Sequence, residues 1–470
     1  MTITWPWAIV LCRFSDVPAV PQPREYYVDL YTVGGAGGVA DYWRAVTSNN
    51  IDITGSQVFG WFTMTHPASD VSRLVFPHER YKLVQWGRDA AAANGVDLAP
   101  FQQVLVVHNF GVDHGAAGNG IVIGHSDPHL CEFGFICHEM GHGFGLPHSF
   151  AANPDWEYGD GWDLMSFATT TFQFPITFKG TAGAATVGLN ARNLRALGAV
   201  PPGRIWQQST RDFSAEVTLD PLNQPPVGNH GYLVAEVALG GVAHTIEFRR
   251  KAGWDRAIPE DAVSVREIRT DGRSYLYPSA GARFTAGEQC VIPDRKVCLH
   301  VAAVTSEAAT VRVWDLPEGS LRKEDSKPKV YLIEGSRKRW VTSPAVLFAL
   351  GRTWADVRSV PDGALAQVPD GPDVNFQAVT VSPHPIPLNR RTSVTVSTAD
   401  LSTGTSLQGD VLIDGSRAGT TGVAFDHTFR AKRIRIPGTK PPEWERVFPR
   451  GSVRVPGYPD ADIDFGFPDS

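Results

Sequence analysis

Hydrophobic positions along the chain follow two rhythms, and the change falls just after Pro201-Pro202-Gly203. Before it, two periods are mixed. Residues 8–14 form a nearly continuous apolar run, the mark of a strand buried on both faces. Val39, Tyr42, Trp43 and Val46 recur at i, i+3, i+4 and i+7, which predicts an amphipathic helix. Residues 53–64 alternate and are rich in aromatic and β-branched side chains, so a strand is expected there. A second helix should begin after Pro77 and stop at Asn94-Gly95, with further strands at residues 103–107 and 120–124.

Beyond residue 205 the pattern is that of strands alone. Residues 215–219, 232–237, 244–249 and 308–314 alternate or run apolar between turns, the spacing of an all-β sandwich that ends near the charged stretch 322–329. Strand-like segments return at 378–381, 393–397, 409–413 and 451–455. The expected fold class is an α/β (α+β) domain with a twisted mixed sheet at residues 1–205, followed by all-β sandwich domains. These lie at 206–325 and 373–470, with a small linker-like module at 326–372 between them. The 46 Gly and 35 Pro fit many short connections better than a helical array.

The chemistry is concentrated in His138-Glu139-Met140-Gly141-His142-Gly143-Phe144-Gly145-Leu146-Pro147-His148, which reads H-E-x-x-H-x-x-G-x-x-H. Four residues apart on a helix, His138 and His142 project from one face and can reach one ion about 2 Å away. Glu139 is offset around the helix, which sets its carboxylate beside the ion as a general base. Gly145 can take the left-handed conformation that stops the helix and reverses the chain. The reversal returns His148 as a third ligand and leaves a fourth position for water and substrate. A single histidine in this chain has a bland explanation as a surface or buried hydrogen-bonding group. Three at ligand spacing around a Glu and a Gly do not.

Downstream, Tyr158-Gly159-Asp160-Gly161-Trp162-Asp163-Leu164-Met165-Ser166 places Met165 in a Gly/Asp-rich segment 17 residues after His148. Together the two segments resemble the metzincin zinc metalloproteases, most closely the gametolysin group and its bacterial relatives. The resemblance extends over residues 1–205 at most, and its motifs over 138–166. It implies a twisted sheet with the zinc helix below its edge strand, a cleft between two subdomains, and Met165 in a tight turn beneath one catalytic zinc. It implies hydrolysis of protein or peptide substrates and an extracellular setting. The first residues, Met-Thr-Ile-Thr-Trp-Pro-Trp, nonetheless lack the charged start, apolar run and cleavage site of a signal peptide. Residues 120–124 stand where an edge strand would pair with extended peptide, and an internal strand is an equal reading. No Tyr closely follows Met165, so the tyrosine partner of zinc in astacin-like and serralysin-like enzymes is not apparent. The alternative is a metzincin-like scaffold, weakly active or inactive, whose β-domains bind glycan or protein; the intact Glu139 speaks against it.

Composition narrows the rest. Charged residues are 20% of the chain and the net charge is −6, without the basic footprint of a nucleic-acid binder. No run approaches the roughly 18 apolar residues of a membrane span. Five cysteines are too few for a disulfide scaffold; Cys290 with Cys298, and Cys131 with Cys137, could pair or could be small buried apolar residues. His108, His114, His125 and His129 lack a repeating ligand spacing and read as loop or cleft-wall residues. Asp155, Asp160 and Asp163 could bind Ca2+, although turn formation is the commoner use of such residues.

Overall fold

The computed structural model describes residues 2–126, 130–131, 133–167, 171–223, 231–292, 297–435, 437 and 444–467, without the side chains of Leu130 and Cys131. Contacts divide the chain into two units, Met1–Asp315 and Leu316–Ser470. Among the described residues no helix is long and apolar enough to cross a membrane.

The first unit is built around a five-stranded sheet in the order Gln57–Thr63, Trp7–Arg13, Gln103–His108, Gly120–Gly124, Gly115–Ala117. All neighbours are parallel except the last hairpin. The continuous apolar run of residues 8–14 has its expected cause. Trp7, Ile9 and Leu11 enter one hydrophobic cluster, while Ala8, Val10 and Cys12 enter another. Alternate side chains of one strand thus feed two cores. Helix Arg80–Ala93 covers one face through Leu83, Val84 and Ala91. Helices Arg24–Tyr31, Val39–Val46 and Phe133–Gly143 cover the other. The four apolar residues that predicted the second of these are all buried.

The strand expected at residues 120–124 is internal, since it pairs on both sides. The antiparallel edge is Gly115–Ala117, too short and too small-residued to show in the hydrophobic pattern. Residues 53–64 form a strand only over Gln57–Thr63.

A seven-stranded sheet joins the early part of the chain to the β-region. Its order is Asp155–Glu157, Phe150–Ala152, Ser274–Tyr277, Ala262–Ile268, Val242–Arg249, Val234–Leu239, Ile205–Gln208. It packs on a four-stranded sheet formed by Ser214–Leu219, Ala309–Trp314, Cys298–Val304 and Gln289–Val291. Val237, Ile246 and Val265 of the first meet Val217, Leu299 and Val311 of the second in one core, which makes a sandwich. The sheet runs across position 205: Phe150 and Ala151 pair in parallel with Tyr275 and Leu276, while the sandwich core draws only on residues after it. The Cys290 thiol is free. Register explains this, because Cys298 stands opposite Val291 and so points to the other face from Cys290.

In the second unit, Arg337–Val341, Val330–Glu334, Leu321–Glu324 and Val357–Val360 form a four-stranded sheet. Residues 321–324, expected at the end of the sandwich before them, are thus an inner strand of this sheet. Gln377–Ser382, Arg391–Asp400 and Phe425–Thr428 lie in one further set of strands, Asp410–Ile413 and Gly451–Arg454 in another. They share a core of Val394, Val396, Val411, Ile413 and Val453.

Candidate metal centre

Helix Phe133–Gly143 carries His138 and His142 one turn apart, with His138 and Glu139 buried and His142 part-buried. Its end is set by Gly145, at φ +84. The Leu146 N–H donates to the Gly141 carbonyl at 3.0 Å and the Gly145 N–H to that of His142 at 2.9 Å. This 6→1 and 5→2 pair is a Schellman turn, which needs a residue free of the Cβ penalty at Gly145. The chain reverses and His148 comes back to the helix.

The three imidazoles converge. The His142 Nε2 lies 3.1 Å from His138 Nε2 and 2.9 Å from His148 Nε2, and one ligand atom from each residue lies within 4.8 Å of the others. Each Nδ1 has an acceptor. His138 Nδ1 donates to the Leu164 carbonyl at 3.0 Å, His142 Nδ1 to the Leu146 carbonyl at 2.8 Å, and His148 Nδ1 to Glu157 Oε1 at 2.7 Å. Carbonyls accept only, so protons on Nδ1 leave the Nε2 lone pairs of His138 and His142 facing one another. Burial, joined by the neighbouring histidines, pushes His138 down to about 3 and His142 down to about 4, so neither acquires a second proton at neutral pH. Two facing lone pairs, with His148 Nε2 2.9 Å from one of them, call for a cation. Ligands about 2.05 Å from a tetrahedral ion stand about 3.3 Å apart, close to the separations seen. The donor set therefore fits a metal ion.

Glu139 lies beside this group. Burial raises its carboxyl to about 7, against the Ala116 N–H and the Arg80 guanidinium, which favour the charged form. Its Oε2 is buried without a hydrogen-bond partner. Edge strand Gly115–Ala117 thus supports the carboxylate from outside the helix. Arg80 is held by Asp113 at 2.5 Å and donates to the Ala116 carbonyl at 3.3 Å.

Met165 lies beneath the helix, fully buried. A Cβ added at Gly141 would come within 2.5 Å of its Sδ, so helix and turn are in close contact. Asp163 caps the short 3-10 turn Leu164–Ser166 by accepting from the Met165 N–H. The turn also supplies the Leu164 carbonyl that fixes His138.

Sequence reasoning missed several members of this site. The Tyr158 hydroxyl stands 3.1 Å from His148 Nε2, from a position before Met165 rather than after it. Tyr158 sits at φ +62 before Gly159. Burial, with Glu157 and Glu139 nearby, raises its phenol. A tyrosine fixed in a left-handed turn between the third His and Met165 was the available signal. Glu157 and Ala116 carried none, because their roles arise from strand pairing.

Other candidates lie elsewhere. His108 is fully buried within its strand rather than in a loop or cleft wall, and its Nε2 contacts the Leu83 carbonyl at 3.1 Å. The His125 Nδ1 is 2.8 Å from the Tyr27 hydroxyl, and the Gly124 N–H donates to His114 Nδ1 at 3.3 Å. His129 and the side chain of Cys131 lie outside the described residues. Asp155 pairs with Arg269, Asp160 with Arg266, and Asp163 accepts from Ser149 and Asn193. These carboxylates thus meet protein donors.

No family model matches the chain, and no curated protein does. Among solved structures it is similar to wild-type OgpA from Akkermansia muciniphila, with 14% identity and a TM-score of 0.30 over 67% of this chain and 93% of that one. A superposition that loose carries no argument about fold or chemistry.

Proposed function

We propose that the chain is a zinc-dependent endopeptidase of the metzincin type. The carrying observation is the convergence of His138, His142 and His148 on one point with every Nδ1 committed elsewhere. Three imidazole nitrogens suit zinc, and an incomplete tetrahedral set suits a catalytic rather than a structural ion. When bound, zinc supplies the Lewis acidity that polarises a scissile carbonyl and acidifies water. The remaining steps belong to the chain. Glu139 Oε2, lacking a partner, accepts the proton of the attacking water and later delivers it to the departing amine. The Tyr158 hydroxyl, 3.1 Å from His148 Nε2, is on this reading the donor to the oxyanion that forms on the substrate, a role left unassigned by sequence. Protein or peptide is the substrate class, and an extracellular setting belongs to the same reading.

Glu139→Gln tests it. It keeps the side chain's volume and an acceptor for Ala116 but removes the base. Hydrolysis of casein should fall about 10²–10⁴-fold, while metal content stays at one ion per chain. Unchanged hydrolysis by that variant ends the mechanism; absence of chelator-sensitive hydrolysis in the unaltered protein ends the endopeptidase reading.

A further inference from the structure

The β-sandwich is wired into the turns that carry the metal site, through side chains that the mechanism does not use. Arg266 forks onto Asp160, with Nε to Oδ2 at 2.6 Å and Nη2 to Oδ1 at 3.1 Å, and reaches Glu247 at 2.8 Å. Arg249 forks onto Asp255 at 2.7 and 2.6 Å and donates to the Trp162 carbonyl at 2.7 Å. These groups are at most 1% exposed. The Ser274 hydroxyl lies 3.1 Å from that of Ser149, the residue after His148, and accepts from Asn190 at 2.9 Å. Ser149 in turn donates to Asp163 at 2.5 Å. One residue further on, strand Phe150–Ala152 pairs with Ser274–Tyr277, and its hairpin partner Asp155–Glu157 carries the carboxylate that orients His148.

Burying several charges gives little net stability compared with apolar packing, but it fixes geometry because unpaired arrangements are so unfavourable. What is fixed is the span 149–166. It holds the acceptor for His138, the acceptor for His148, the Tyr158 hydroxyl and the methionine under the helix. We propose that Arg266 and Ser274 of the β-sandwich are positioning residues for the metal ligands, so that this sandwich is part of the metal centre rather than an appended substrate-binding module. The inference rests on the reading that the three histidines hold zinc.

The test compares Ser274→Ala and Arg266→Lys with Val311→Ala, which opens a cavity in the same sandwich away from the network. Zinc affinity is measured by competition with a chromophoric chelator, and stability of the metal-free chain by urea denaturation. Loss of an outer partner of a ligand typically weakens metal binding 10–100-fold. Ser274 and Arg266 stand one bond further out than such partners, so Ser274→Ala and Arg266→Lys should weaken zinc binding about three- to tenfold, while Val311→Ala lowers stability and leaves zinc affinity unchanged. If Arg266→Lys fails to fold, Ser274→Ala, which removes one oxygen, still decides. Wild-type affinity in the folded variants, or an equal loss in Val311→Ala, overturns the inference. A wild-type chain that takes up no zinc overturns the metal reading itself.

Discussion

Adding a methyl group at Gly141 sets two effects of opposite sign against each other. In a helix interior, Gly→Ala ordinarily stabilises by about 1 kcal/mol, because the backbone loses less freedom on folding. Here the new Cβ would meet Met165 Sδ at 2.5 Å and Cε at 3.2 Å, with Trp43 3.8 Å away. Apolar atoms pack at about 3.5–4.0 Å, so the overlap with sulfur exceeds about 1 Å. Methionine can retreat by rotation, but Met165 is fully buried and its neighbours are close-packed. Overpacking of this kind costs about 1–3 kcal/mol. The clash should win, leaving Gly141→Ala about 1 kcal/mol less stable than the parent in urea denaturation of the metal-free chain. Displacing Met165 also drags the Leu164 carbonyl that holds His138, so zinc affinity should fall with stability. In Gly141→Ala/Met165→Ala the clash is absent, and the double variant should be at least about 1 kcal/mol more stable than the two single losses add up to. A Gly141→Ala chain as stable as the parent, with additive behaviour in the pair, would refute the contact between helix and turn.

Other consequences can be checked singly. Glu157→Gln keeps an acceptor for His148 Nδ1 but removes its charge, so zinc affinity should fall about tenfold in chelator competition; an unaltered affinity means that Glu157 does not tune the ligand. Gly145→Ala meets no atom within 4 Å, so its cost comes from the φ of +84 alone and should be about 1–2 kcal/mol in urea denaturation. A neutral result there would mean that the turn adopts another conformation. Burial lowers His108 from 6.5 to about 4. Below pH 6.5 the unfolded chain binds a proton that the folded chain refuses, so stability is present above that pH and declines as pH falls toward 4. Between pH 7.5 and 5 this amounts to about 2 kcal/mol. His108→Gln, which keeps a donor for Leu83, should lose that part of the decline, and parallel pH profiles would count against it.

Sequence disclosed what depends on neighbours a few residues apart. The helix at Val39–Val46 and the meeting of His138 with His142 follow from 3.6-residue periodicity, and the return of His148 follows from one glycine. What it withheld depends on strand pairing. Gly115–Ala117 is an edge strand of three small residues without a hydrophobic signature, yet its Ala116 N–H bonds Glu139. Glu157 reaches His148 because its strand pairs back on Phe150–Ala152, which is itself held by the strand at residues 274–277. Cys290 and Cys298 suggest a bridge by spacing, and a one-residue register offset sends them to opposite faces. The change of texture near residue 205 is a real change in secondary structure, and what crosses it is a sheet, through the pairing of Phe150 and Ala151 with Tyr275 and Leu276.

The orientation of the imidazoles shows where the site's specificity comes from. Two of the three Nδ1 acceptors are main-chain carbonyls, Leu146 in the helix-ending turn and Leu164 in the turn that carries Met165. A carbonyl cannot donate, so each fixes a tautomer as well as a direction, and the Nε2 atoms are aimed before any ion arrives. An arrangement of facing lone pairs in a buried place that resists protonation is costly. Local helix propensity cannot hold it. The counterweight has to come from packing and buried pairing below, which is where Met165, Asp163 and the Arg266–Asp160 fork are found. On the proposed reading a metal ion would offset that cost, and its affinity would depend on the sheets that hold these turns as well as on the helix.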